Sequence, residues 1–87
     1  MSKVQESTSI NVIARAPFHV YFEGTAQALS ARNKVGDFDI LPGHADMFSV
    51  LQPCDVVIET DDEPVVFHIS SGIITIRNDE VMLFVDV

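Results

Sequence analysis

Short runs in which β-branched and aromatic residues recur at every second position constrain this chain more than any other feature. Such alternation is typical of half-buried β-strands. The residues that share a side within each run are Ile10, Val12 and Ala14; Val20 and Phe22; Val56 and Ile58; Val65, Phe67 and Ile69; Ile74 and Ile76; and Val81, Leu83 and Val85. No comparable helical stripe is present, so the pattern predicts an all-β domain.

Turn-forming residues separate these runs. They are Ala16-Pro17, Glu23-Gly24, Pro42-Gly43, the acidic residues 61–64, Ser71-Gly72 and Asn78-Asp79. Many short strands with closely spaced turns favour a sandwich or a small barrel. Residues 25–31 fit either a short helix or a strand, and the alternation after Gly24 leads us to predict a strand.

The length of 87 residues, of which 47% are apolar, suits one domain with one modest core. We expect residues 10–87 to form it and residues 1–9, which are polar and lack periodicity, to be a flexible lead-in.

The net charge of −8 disfavours nucleic acid and anionic membranes as partners. Apolar runs are far shorter than the roughly 20 residues of a membrane span, so we expect a soluble chain without direct insertion into a bilayer. Cys54 is the only cysteine, which excludes an internal disulfide and fits a reducing cytoplasm.

Residues suited to catalysis or metal binding are sparse. The three histidines His19, His44 and His68 lie far apart in sequence and from Cys54, and residues 61–63 lack the ligand spacing of a calcium loop. Neither a nucleophile motif nor a glycine-rich phosphate loop is present. We therefore expect no cofactor, no metal and no enzymatic activity.

Two strands are apolar on both sides, at Val56-Val57-Ile58 and at Ile73-Ile74. Scattered surface aliphatics are one explanation, and a partner-binding patch is the other.

Residues 36–44 combine two glycines, a proline and large apolar side chains with Asp37, Asp39 and His44. Pro42 fixes its own φ and pushes the preceding residue toward extended geometry. The segment therefore predicts a short strand that leaves by a tight turn, with His44 at the end of the sheet. Asp37 and Asp39, two apart, should share one face.

With Ala45, this segment resembles the signature of the F-type ATP synthase epsilon subunit family, a Gly-x-hydrophobic-Gly-Ile-Leu/Tyr-Pro-x-His-Ala pattern. The resemblance runs from about Ile10 to Val87, and it is supported by Ala16-Pro17, Phe22-Glu23-Gly24, Leu51-Gln52-Pro53, Ser70-Ser71-Gly72-Ile73 and the closing strand 81–86.

The resemblance implies a flattened β-sandwich of about ten short strands in two sheets. It also implies a non-catalytic rotor subunit of the central stalk that couples the gamma subunit to the c ring in proton-driven ATP synthesis, peripheral to the cytoplasmic face of the membrane. A hydrophobic face could then persist because gamma covers it. The alternative is a standalone acidic β-sandwich adaptor that reuses the fold for another partner.

The resemblance also assigns roles to individual residues. Asp37 and His44 match positions that face the c ring, and Arg32, Asn33, Lys34 and Val35 would form the neighbouring loop. Structural roles fall to Gly36, Phe38, Ile40, Leu41, Pro42, Gly43 and Gly72, of which Phe38, Ile40 and Leu41 should support the core.

Three departures from the family pattern matter. Asp39 stands where the family usually has glycine, and because aspartate tolerates left-handed backbone we expect it to keep the bend, unless the local path or contact changes. Ser71 replaces the first glycine of a pair. The family usually continues past the last strand into a C-terminal helical hairpin, which residues 1–87 do not include, so neither braking of hydrolysis nor ATP binding is carried over.

Overall fold

The computed structural model describes residues 9–87, and within that range the chain forms strands and turns without a helix. The strands are β1 (Ile10–Ala16), β2 (His19–Ala26), β3 (Ala28–Asn33), β4 (Gly36–Ile40), β5 (Met47–Leu51), β6 (Cys54–Glu59), β7 (Val65–Ile69), β8 (Ser71–Arg77) and β9 (Glu80–Asp86). The lead-in predicted for residues 1–9 lies outside the described residues except for Ser9.

The strands form two layers. The first has the order β2-β1-β9-β8-β5, and the second consists of β6 between β7 and β3, with β4 on the other side of β3. The layers are joined at β3, where Asn33 pairs with Leu51 of β5. The shortest molecular dimension is 20 Å, as expected for two sheets packed about 10 Å apart. The all-β sandwich is thus confirmed, with nine described strands where the resemblance implies about ten.

The core between the layers is built from the alternating series that the sequence shows. Each buried aliphatic side chain contributes roughly 1.5–3 kcal/mol relative to an exposed one. The buried residues are Ile10, Val12, Ala14, Ala26, Leu29, Ala31, Ile40, Leu51, Val56, Ile58, Ile69, Ile74, Ile76, Val81, Leu83 and Val85, and none of the described buried residues is polar. The core therefore depends on shape and apolar burial alone.

A β-bulge in β2 corrects one predicted face. Val20 and Phe22 were expected on the same side, but Ala14 pairs with Phe22 while the next residue, Arg15, pairs with Val20, which leaves Tyr21 as the extra residue. Phe22 packs against the core, and Val20 is 42% exposed. The Tyr21 ring stacks on Phe67 of β7, with centroids 4.8 Å apart, and so ties the two layers together.

Four of the six predicted turns connect neighbouring strands. The other two predictions were wrong: Glu23-Gly24 lies within β2, paired with β1, and Ser71-Gly72 begins β8, paired with β9. Asn78 and Asp79 join β8 to β9 with φ of 51° and 63°, as a type I′ hairpin turn requires. Residues 25–31 are extended as predicted: β2 and β3 are separated by Gln27, whose N–H donates to the Glu59 carbonyl at 2.7 Å. The acidic residues 61–63 lie in the exposed loop between β6 and β7.

Candidate functional site

The β3–β4 hairpin carries most of the predicted contact residues. Lys34 and Val35 form its two-residue turn, and the Asn33 Oδ1 accepts hydrogen bonds from the backbone N–H groups of Val35 at 2.9 Å and Gly36 at 3.2 Å. The Asn33 amide also donates to Ser49 Oγ at 3.2 Å, which attaches the hairpin to β5. Val35 is 97% exposed. The turn is thus held from within and presents an apolar tip.

Arg32 and Asp37 form an ion pair across this hairpin. They are opposite each other in the register, and Arg32 Nε donates to Asp37 Oδ1 at 2.7 Å. This hydrogen bond, assisted by the attraction of the charges, lowers the pKa of Asp37 and raises the pKa of Arg32. Both side chains are more than half exposed, so solvent screens the pair, which orients the carboxylate more than it stabilises the fold.

Asp39 lies in regular strand, which corrects the expectation of a left-handed bend. Its partner in the register is Ser30, and among the described non-glycine residues only Asn78 and Asp79 have positive φ. The Ser30 hydroxyl donates to Asp39 Oδ1 at 2.7 Å. Asp39 and Asp37 are both exposed on the outward side of β4, as their spacing predicts.

Residues 41–44 form the tight turn that the sequence predicts. The His44 N–H donates to the Leu41 carbonyl at 3.1 Å, and Gly43 has φ of 85°, so this is a type II turn with Pro42 in its preferred position. The Gly43 N–H donates to Asp79 Oδ1 at 2.8 Å, which fixes the turn to the β8–β9 hairpin. His44 Nδ1 lies 2.7 Å from the Ala45 carbonyl oxygen.

Asp37 lies at the start of β4, and His44 lies beyond its other end. Asp37 is next to the β3–β4 turn, and His44 follows the turn after Ile40. At the usual rise per residue, Asp37 and Ile40 alone are separated by roughly 10 Å. The structure therefore brings Asp37 together with Arg32 and the hairpin, and it does not bring His44 to that group.

Among the structural assignments, one is wrong. Ile40 is buried and Phe38 packs against the core, but Leu41 is 55% exposed because β4 ends one residue before it. Gly72 is required by close packing, since a Cβ there would lie 2.9 Å from the Phe84 carbonyl oxygen. The neighbouring Ser71 is exposed, with its Oγ 3.5 Å from Asp86 Oδ2.

The outward side of the first layer carries an apolar face. The register places Val50 beside Ile73, Ile73 beside Phe84, and Phe84 in the same row as Arg15 and Val20. A second row, which includes Phe48, Met82 and Ile13, lies next to the first. The apolar face, as named here, consists of Ile13, Val20, Phe48, Val50, Ile73, Met82 and Phe84, and all but Ile13 are at least 41% exposed. Of these residues, sequence analysis identified only Ile73, as part of a strand that is apolar on both sides. Phe48 with Val50, and Met82 with Phe84, also occur at every second position, and this alternation could have indicated that each pair shares a face.

The outward side of the second layer is different. Asp37, Asp39, Asp55 and Glu59 are exposed there and define what we call the acidic face. Asp55 Oδ1 lies 2.8 Å from His68 Nδ1 across the β6–β7 pair. A cleft of about 590 Å³ is lined by residues of this face together with Arg32, Cys54 and His68. Within residues 9–87, no group of His, Cys, Asp and Glu side chains is arranged to hold a metal ion.

This geometry defines a class of protein: a small β-sandwich with broad outward faces, one of them apolar, and an exposed hairpin tip. The chain belongs to the ATP synthase delta/epsilon chain family, whose β-sandwich domain model matches residues 9–87. No helix in the described part of the chain has the length and apolar character needed to cross a membrane.

Curated relatives support this assignment. The chain is 34% identical to the ATP synthase epsilon chain of Ruthia magnifica over 65 aligned residues. The alignment covers 75% of this chain and 47% of the relative. It is 36% identical over 63 residues to that of Micrococcus luteus, covering 71% and 69%. The chain thus spans about half the length of the first relative and two thirds of the second.

Solved structures share the fold. A chain of the Euglena gracilis mitochondrial ATP synthase, in a structure of OSCP, F1 and the c ring, superposes with a TM-score of 0.82 at 16% identity, covering 98% of this chain and 59% of that one. A chain from the Tetrahymena thermophila mitochondrial ATP synthase central stalk and c ring gives a TM-score of 0.80 at 14% identity, covering 95% and 67%.

Proposed function

We propose that this domain is a non-catalytic part of the central stalk of an F1Fo ATP synthase and couples the gamma subunit to the c ring. The observation that carries the proposal is the apolar face on a domain of the epsilon family. Solvent-exposed aliphatic and aromatic side chains in adjoining rows of one sheet are typical of a surface that a partner covers. Gamma is the partner that the family suggests for it.

The c-ring contact is assigned to the β3–β4 hairpin. Its exposed tip at Lys34 and Val35 and the oriented carboxylate of Asp37 suit a contact with polar, partly basic loops, where such charges set register more than affinity. A contact that also included His44 would have to extend along the whole of β4. In this arrangement the domain is peripheral to the cytoplasmic face of the membrane and does not insert into the bilayer.

Co-purification with the cognate gamma subunit tests the first part. Wild-type protein should form a stable complex with gamma, measured by size-exclusion chromatography and calorimetry. Failure to bind gamma under conditions where the other F1 subunits assemble would contradict the proposal and favour an adaptor for another partner.

Replacement of Asp37 with Lys tests the second part. We expect gamma binding and folding to be retained while binding of the assembled stalk to the c ring and proton-driven ATP synthesis decrease. Glu59→Lys, which reverses an exposed carboxylate of the acidic face outside the hairpin, is the matched control and should leave ring binding unchanged. Unchanged ring binding and ATP synthesis in Asp37→Lys would contradict the assignment of this hairpin.

A further inference from the structure

Arg15 is a cation inside the apolar face. The register places it between Phe84 on one side and Val20 on the other, and Ile13 is the neighbouring outward residue of its own strand. With Val50, Ile73 and Phe84 it lines a shallow depression of about 390 Å³. It is half-buried even in the isolated domain.

No carboxylate in the described part of the chain pairs with Arg15. Within residues 9–87 the ion pairs are Arg32 with Asp37 and His68 with Asp55, both on the other layer. Asp86 lines the same depression, but its carboxylate accepts a hydrogen bond from Ser71 Oγ at 3.5 Å and forms no ion pair with Arg15. Glu23 is opposite Ile13 on the adjacent strand, at the rim of the face. The guanidinium is therefore exposed to solvent or to whatever covers the apolar face.

A partner that covers the face must compensate the charge of the Arg15 guanidinium. Removing a guanidinium from water without a counter-charge costs far more than the apolar contacts around it return, whereas a carboxylate that accepts its forked N–H groups compensates the loss. Buried arginines of this kind are enriched among the residues that dominate binding energy.

We propose that Arg15 is a specificity determinant of the apolar face and pairs with a carboxylate of the subunit that docks there. This inference rests on the proposed function, because it takes gamma as the docked subunit. It adds the chemistry of the contact: the docking surface of gamma is apolar and carries an aspartate or glutamate opposite the row formed by Ile73, Phe84 and Arg15. A purely apolar partner surface would bind weakly, because it would remove the guanidinium from water without a counter-charge.

The test measures the dissociation constant of the cognate gamma subunit for variants of this protein. Arg15→Glu should weaken binding by roughly 30-fold or more, the range seen when one member of a buried charge pair is removed. Arg15→Lys should retain most of the affinity. Arg77→Glu, which reverses the charge of an exposed arginine at the end of β8, is the matched control and should have little effect. Circular dichroism checks that each variant is folded.

The decisive experiment exchanges the two charges between the partners, with a glutamate at position 15 of this protein and an arginine on gamma. Individual replacement of gamma surface aspartates and glutamates with arginine should yield one gamma variant that binds Arg15→Glu better than wild-type protein. Absence of such a variant, or unchanged affinity of Arg15→Glu, would overturn the proposal. So would a loss in Asp86→Asn or Glu23→Gln equal to that in Arg15→Glu, since the counter-charge would then be internal.

These outcomes are separate from those of the proposed function. If wild-type protein fails to bind gamma, the proposed function fails. If gamma binds and Phe84→Asp abolishes binding but Arg15→Glu does not, the apolar face stands and only the role of Arg15 is wrong.

Discussion

The two outward faces of this sandwich are built on the same scaffold and differ in almost every chemical respect. On the first layer, the outward side includes the seven aliphatic and aromatic side chains of the apolar face, with Arg15 among them. On the second layer they are mostly polar or charged and include four carboxylates, two of which pair with Arg32 and His68. Because the core needs only one side of each sheet, burial between the layers does not account for the apolar face, and the proposed docking of a partner does.

The sharpest comparison within one strand is between Ile73 and Ile74. Ile74 is fully buried, and replacing it with Ala should lower the free energy of unfolding by about 2–5 kcal/mol, because it loses its burial and leaves a cavity. Ile73 is 42% exposed, and the same replacement should change stability by no more than about 0.5 kcal/mol. Urea denaturation measures both. Equal losses would show that the apolar face is needed for folding and would remove the argument for a binding role.

A second pair of variants compares the faces directly. Phe84 and Val66 are 52% and 56% exposed, on the first and second layers respectively. Phe84→Asp should weaken gamma binding by at least about 2 kcal/mol, because a carboxylate would be desolvated at the centre of the contact. Val66→Asp should leave the affinity close to that of wild-type protein. Calorimetric titration with gamma distinguishes the two, and a reversed order would assign the docking surface to the second layer.

Much of the inner structure could be predicted from the sequence, and the outer faces could not. Alternation identifies the buried residues of β1, β8 and β9 because period two is a local property. The apolar face arises only when β8 lies between β5 and β9, and strand order is non-local. The bulge at Tyr21 reversed the side of Val20 for a similar reason: one extra residue shifts the register, and nothing local in the sequence announced it.

In the candidate site, the turns could be predicted from the sequence, and the end of β4 could not. The hairpin and the Pro42-Gly43 turn follow from turn-forming residues that act locally. The prediction that Leu41 supports the core was wrong because the end of β4 depends on the turn at residues 41–44. That turn is attached through Gly43 to Asp79, which lies on a hairpin distant in sequence.

The turn that joins the two layers offers a prediction of intermediate size. It connects β4 of the second layer to β5 of the first, and Gly43 has a positive φ that an L side chain resists. Gly43→Ala should destabilise the domain by about 1–2 kcal/mol. Thermal unfolding measures the change, with Ala45→Ser at an exposed position of the same connection as the control. An unchanged unfolding temperature would show that the layers do not depend on this turn.

The smallest expected effect concerns the electrostatics of the acidic face. Asp37 has a lowered pKa, so the Arg32 pair favours the folded state above the pKa of the unfolded chain, and this contribution is lost as pH falls through the folded pKa. Because the pair is exposed, the change in stability should be slight, and the pKa itself is the better observable.

We expect Arg32→Met to raise the pKa of Asp37 toward that of a free aspartate, as measured by carboxyl carbon chemical shifts during an NMR titration. Lys34→Met removes a neighbouring positive charge without removing the hydrogen bond, and it should raise the pKa less. If the two variants shift Asp37 equally, the general field of the hairpin holds the carboxylate in its charged form. If Arg32→Met acts alone, the direct bond does so, and Asp37 is held in one orientation at the hairpin as the proposed c-ring contact requires.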